Sequence, residues 1–65
     1  MNWDQVKGQW TEFQGKARQH WGKLTDDDLQ QARGSREELE DKIQQRYGYE
    51  KEEAKREVDR WIDSL

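Results

Sequence analysis

Trp3, Val6, Trp10, Phe13, Ala17, Trp21 and Leu24 follow one another at steps of three and four residues. At about 100° per residue they fall inside an arc of about 80° on one helix face. The spacing predicts a long amphipathic first helix over residues 3–21, its aromatic stripe carrying three of the chain's four tryptophans. In a chain of 65 residues such a stripe has to be the seam of the core, because the shorter segments that follow supply just enough apolar surface to cover it.

The next strong local signal is Leu24-Thr25-Asp26-Asp27-Asp28-Leu29. Thr25 suits an N-cap, the aspartates fill the first turn where the helix dipole favours negative charge, and Leu24 can meet Leu29 as a hydrophobic staple. A short second helix over residues 26–32 is expected, ended by Gly34. Ser35-Arg-Glu-Glu38 has the form of a capping box and opens a third helix, residues 36–47, with Leu39, Ile43 and Tyr47 inward and Gly48 closing it. In the last helix, residues 51–63, Ala54, Val58, Trp61, Ile62 and Leu65 lie within about 100° of one another, and Glu50 is a poor N-cap. Glu12–Lys16, Glu38–Lys42, Glu52–Arg56 and Glu57–Arg60 are spaced for ion pairs on the outer faces. No alternating run predicts a strand. The expectation is an all-α, four-helix domain of two successive hairpins occupying residues 1–65.

Gly8, Gly15 and Gly22 repeat every seven residues on the face opposite the stripe. Gly22 is expected to end the first helix in a left-handed conformation. Gly8 and Gly15 cost about 1 kcal/mol each relative to Ala in a helix interior. They are either tolerated solvent-face residues or points of close approach by a partner helix.

Composition sets the bounds. A charged fraction of 42% and an apolar fraction of 29%, with a mean hydropathy of −1.63, lean toward disorder, but each of the seven aromatic residues can bury about 150–250 Å². A folded domain of a few kcal/mol stability is expected. There is no cysteine, hence no disulfide or thiolate chemistry. The absence of an apolar leader or spanning run predicts a cytoplasmic protein. Residues 1–24 carry four basic side chains against Asp4 and Glu12, and the remainder carries eight against thirteen acidic ones. That acidic balance sets nucleic acid aside as a partner.

Candidate chemistry is sparse. Asp26-Asp27-Asp28 suggests a metal, yet adjacent helical residues point about 100° apart and the spaced ligands of an EF-hand loop are missing, so capping explains them better. Gly15-Lys16 lacks P-loop spacing and a preceding strand. His20 is the only histidine and has no second ligand or nucleophile beside it; Ser35 is a cap, and Ser64 has no base nearby. Tyr47 and Tyr49 read as packing residues around a turn glycine. No catalytic, cofactor-binding or metal-binding residue is expected, and no enzyme.

Trp21-Gly-Lys-Leu-Thr-Asp-Asp-Asp-Leu29, Gly34, Lys42-Ile-Gln, Arg46-Tyr-Gly-Tyr49, Glu53-Ala54, Glu57-Val58 and Trp61 together resemble the CsbD-like family of small bacterial proteins across essentially the whole chain. The resemblance implies a four-helix fold of two crossed hairpins and a general-stress protein induced by osmotic, heat, salt or stationary-phase stress. It brings no catalytic residue, cofactor or ligand. Glu40 and Asp41 stand where the family usually has an apolar residue and a glycine, which predicts a more polar third helix, and Ser35 stands where a Lys often follows the glycine.

Two other readings follow from the residues. Lys7 and Arg18 on one side of the aromatic face, and Lys16 and Lys23 on the other, have the layout of a helix lying in a membrane interface. Under stress the Trp3/Trp10/Phe13 face would then engage a membrane surface or a partner protein, though the acidic remainder opposes anionic lipid. Low hydropathy also suits a solvated protectant, against which the aromatic content argues. The partner expectations are a monomer, with an unidentified protein partner open and the membrane surface as the alternative.

Overall fold

The computed structural model describes residues 1–65 and is entirely helical. Five helices follow in order: α1 Trp3–Gly8, α2 Trp10–His20, α3 Asp26–Ala32, α4 Arg36–Tyr47 and α5 Lys51–Ser64. The aromatic stripe is where the sequence puts it. Val6, Trp10, Phe13, Ala17, Trp21 and Leu24 are all buried, and Trp3 packs half-buried against them. Leu29, Ala32, Leu39, Ile43, Ala54, Val58, Trp61 and Ile62 complete one core.

The four-helix expectation is corrected at Gln9. The expected first helix is two helices, broken where Gln9 takes φ −126° and ψ 39° and its N–H turns to Val6 O at 3.1 Å. Length explains the break. A straight helix over residues 3–21 would run about 28 Å, whereas the whole molecule measures 27 × 23 × 18 Å, so its first turns would find nothing to cover them. Bending at Gln9, next to the weak helix former Gly8, folds α1 back onto the α3–α4 turn. There the Trp3 indole N–H donates to Gly34 O at 2.7 Å, and Val6 is fully buried. With an extra helix at its start, the chain is not the simple pair of crossed hairpins.

Within the chain, close backbone approach falls at Gly34 and not at the glycines repeated every seven residues. A Cβ at Gly34 would stand 3.0 Å from Lys7 Cγ and 3.5 Å from Lys7 Cα, so this is where two backbones come close. Gly8 and Gly15 have open space around them. Gly22 is not left-handed: α2 ends on Trp21, and a turn from Leu24 N to Trp21 O at 3.0 Å carries the chain round. The left-handed positions are Arg33 (φ 39°), Gly34 (φ 83°) and Gly48 (φ 72°).

Neighbours in sequence are neighbours in space, α1 on α2, α2 on α3, α3 on α4 and α4 on α5. Capping follows the sequence at α3, where Thr25 and Asp28 bond each other's backbone N–H at 3.1 and 3.2 Å. At α4 the box is half made: Ser35 Oγ accepts from Glu38 N at 3.4 Å, while the Ser35 N–H goes to Ala32 O. Glu50 gives α5 no side-chain cap. Of the expected surface ion pairs only Glu57–Arg60 forms, at 3.7 Å. Lys16 lies over the Phe13 ring instead of Glu12, Glu52 takes Lys55, and Glu38–Lys42 does not close. Such exposed pairs are worth only a few tenths of a kcal/mol, so side-chain entropy or a nearby ring decides between them.

Trp10→Ala removes a buried ring and is expected to cost about 3–5 kcal/mol, enough to unfold a domain this small, as read by the near-ultraviolet circular dichroism and Tm. Gly15→Ala should do the reverse, raising stability by about 1 kcal/mol in a chemical denaturation curve, since its Cβ meets nothing.

Candidate functional site

Asp28 is among the most connected polar residues in the molecule. It is 5% exposed, placed at the third position of α3 by the Thr25 cap, and its two oxygens meet Arg46 near the end of α4. Arg46 Nε donates to Oδ2 at 2.8 Å and Nη2 to Oδ1 at 3.2 Å. This fork-to-fork pair ties α3 to α4. The Arg46 hydrogen bonds hold the Asp28 carboxyl below the usual carboxylate range, aided by Thr25 and opposed by burial, and they raise Arg46 in turn. Arg18 takes Asp26 at 2.6 Å on the surface, and Asp27 is exposed. The three aspartates therefore diverge, and no group of three His, Cys, Asp or Glu side chains comes together as metal ligands.

A second clasp joins α4 to α5. Arg36 donates through Nε to Glu40 at 2.9 Å, and through Nη2 to Asp59 at 2.6 Å and to Lys55 O at 3.2 Å. Burial opposes the Arg36 charge, and the bonds to Asp59 and Glu40 outweigh it, so its pKa rises. Glu40 corrects the expectation of a merely more polar helix surface. It is 4% exposed, a buried carboxylate satisfied from one turn before it, while Asp41 faces water. The signal was present as Arg36–Glu40 at i, i+4, but which of the charged residues in α4 turns inward is set by α5.

The other candidate side chains have local partners. His20 is exposed and stands edge-on to Trp21 at 4.7 Å. Ser64 Oγ donates to Trp61 O at 2.7 Å. Tyr47 and Tyr49 stack at 5.4 Å, the Tyr47 hydroxyl accepts from Lys23 N at 3.2 Å, and Lys23 Nζ lies 5.1 Å over that ring. Trp10 sends its indole N–H to Leu29 O at 2.9 Å. Trp21 Nε1 is the buried side-chain donor with no acceptor, its ring held against Trp61 at 5.1 Å. Trp10 and Phe13 are both buried, so the Trp3/Trp10/Phe13 face is closed. No helix is long and apolar enough to cross a membrane.

An open groove of about 920 Å³ lies between α2 and α3, lined by Trp10 and by Gln14, Gln30 and Gln31 among others. Sequence reasoning did not find it. The signal was the set of glutamines on the two helix faces flanking the turn, which reads as solvated surface until the helices are packed.

The arrangement defines a compact helical protein whose charged side chains are used as clasps between helices. Its sequence places it more closely. The model of the CsbD-like family matches residues 4–56, and the chain belongs to that family. It is 57% identical over 97% of its length to the UPF0337 protein ECA0631 of Pectobacterium atrosepticum, covering 91% of that protein. It is 51% identical over 94% of its length to the UPF0337 protein YjbJ of Escherichia coli, covering 88%. To the UPF0337 protein RPA4217 of Rhodopseudomonas palustris it is 48% identical over its whole length, covering 98%. No solved structure matches the chain.

The Asp28 clasp carries a pH dependence with a defined sign. A carboxyl whose folded-state pKa lies below its ordinary value of 3.8 stabilises the fold fully above that value and loses the contribution as pH falls through the lower folded value. Asp28→Ala is therefore expected to lower the Tm at pH 7, and the gap from the unaltered protein should close on acidification below pH 3.8. A gap that stayed constant down to pH 2 would show that the carboxylate charge contributes nothing.

Proposed function

We propose that this chain is a non-enzymatic bacterial stress-response protein that works in the cytoplasm as a folded monomer, by binding through its polar surface. The observation that carries this reading is the use of the aromatic stripe. Every large apolar side chain except Met1 is at least partly enclosed, so the outer surface offers charges and amides rather than a greasy face. A monomer needs no second chain to cover such a surface. The stress assignment is supported by membership of the CsbD-like family and by nothing in the site chemistry.

The membrane alternative would require the core to open, since the rings that would enter lipid are the rings that hold α2 to α3 and α5. No observation favours it over the closed fold.

Two measurements test the reading. Protein level, followed by immunoblot through osmotic upshift, heat shock and entry to stationary phase, should rise severalfold, with a growth defect under the same stresses in a deletion strain. A flat profile with unimpaired growth would sink the stress role. Trp emission of the purified protein should keep its maximum when anionic vesicles are added at low salt; a blue shift would restore the membrane-surface reading.

A further inference from the structure

We propose that α1 is an exchangeable segment: two copies of this chain swap it, each straightening at Gln9 and laying its α1 on the other copy's α3–α4 turn. The monomer is then one of two closed arrangements of the same contacts. This goes beyond the function proposed above and does not rest on it.

The break at Gln9 sits in a sequence written for one helix. Trp3, Val6, Trp10, Phe13 and Ala17 keep steps of three and four straight through it. Residue 9 is a glutamine, among the better helix formers, and the chain has no proline to enforce a bend. The backbone is less well bonded there. The Gln9 N–H turns to Val6 O at 3.1 Å and the Glu12 N–H to Gln9 O at 3.0 Å, each one residue short of the α-helical spacing. A continuous helix over residues 3–20 would restore that spacing and keep the stripe on one face.

Within one chain the obstacle is cover. Straightened to about 27 Å, the helix would carry Trp3 and Val6 off the turn that encloses them. A second copy offers the same seat, and the seat is shaped for α1. Gly34 leaves out a Cβ that would stand 3.0 Å from Lys7 Cγ, its carbonyl takes the Trp3 indole N–H at 2.7 Å, and Val6 is fully buried. An α1 arriving from the other copy makes these contacts again, so the exchange keeps them and gains two unbroken helices. Being reciprocal, it closes on a two-fold axis.

α1 is also the helix least fastened to its neighbours. Ion pairs join α2 to α3 through Arg18 and Asp26, α3 to α4 through Asp28 and Arg46, and α4 to α5 through Arg36 and Asp59. None joins α1 to anything. Its six residues are too few to hold a helix alone, so once undocked it is stable only as a continuation of α2. A hinge this short keeps α1 near its own seat at an effective concentration on the order of millimolar. The monomer therefore prevails in dilute solution, and exchange needs chains that open at comparable concentration.

The test refolds the full-length protein from heat at about 10 μM and at about 2 mM, either side of that effective concentration. Translational diffusion measured by NMR should report a monomer in the first sample and a substantial dimer in the second. In a 2 mM sample refolded from equal parts nitrogen-15-labelled and carbon-13-labelled chains, a nuclear Overhauser effect is expected from the Trp3 indole proton of one label to the Gly34 Hα of the other. Gly8→Ala, which favours continuous helix and meets open space, should lower the dimer dissociation constant about tenfold, and Gln9→Gly should raise it by a similar factor. The proposal is overturned if the 2 mM sample stays monomeric, or if a dimer forms with no Trp3–Gly34 contact between labels. It is overturned too if the two substitutions leave the dissociation constant unchanged or move it in the same direction. None of these outcomes bears on the stress-induction experiment, whose failure would in turn leave the exchange standing.

Discussion

The burial of one aromatic stripe governs this structure. Seven apolar residues spread over the first 24 positions need cover, and the elements that supply it are helices of 7, 12 and 14 residues. The longest of these reaches about 21 Å. Continuous helix along the whole stripe would leave its first turns in water, where Trp3 and Val6 would forfeit about 1.5–3 kcal/mol each of hydrophobic stabilisation. Breaking the helix at Gln9 loses local hydrogen bonding and recovers that burial. The break is thus set by the length of the covering helices, and Gly8 only makes it cheap.

With so small a core, the polar groups that remain near it are used to join helices. Trp3 closes on Gly34 O, Trp10 on Leu29 O, Arg36 on Lys55 O, and Tyr47 receives the Lys23 N–H. Asp28–Arg46 and Arg36–Glu40–Asp59 add charge to the same scheme at either end of α4. α4 is consequently fastened to both neighbours, and a substitution there reaches three helices. Removing Arg46 or Arg36 would strand Asp28 or Glu40, each with only 6% of its side chain exposed, as a desolvated carboxylate without its cationic partner, whereas the arginines are themselves partly in water.

Much of the fold was legible in the sequence because periodicity and capping are local. Thr25 and Asp28, the Gly48 turn, the inward faces of α4 and α5 and the whole aromatic stripe needed only spacing and side-chain chemistry. What could not be read depends on distances between elements. Gln9 has no unusual propensity, and the break there follows from how far α3, α4 and α5 reach. Glu40 and Asp41 are adjacent acidic residues in one helix, and only the position of Asp59 and Arg36 decides that the first is buried. Gly34 rather than Gly15 is the close-approach glycine because α1 folds back, an event the seven-residue glycine spacing does not report. The candidate groove was illegible for the same reason, being made from glutamines on two faces that the packing brings together.

Each helix packs against the one before it in the chain, and that has a kinetic consequence. Contacts between sequence neighbours require little loop closure, so the entropy lost before native contacts form is small and folding of such topologies falls in the microsecond-to-millisecond range. The chain also has no proline and no cysteine, removing isomerisation and disulfide exchange as slow steps. A domain of this design can unfold when conditions turn harsh and recover within milliseconds of their passing, with little time spent as an exposed aromatic chain that would aggregate.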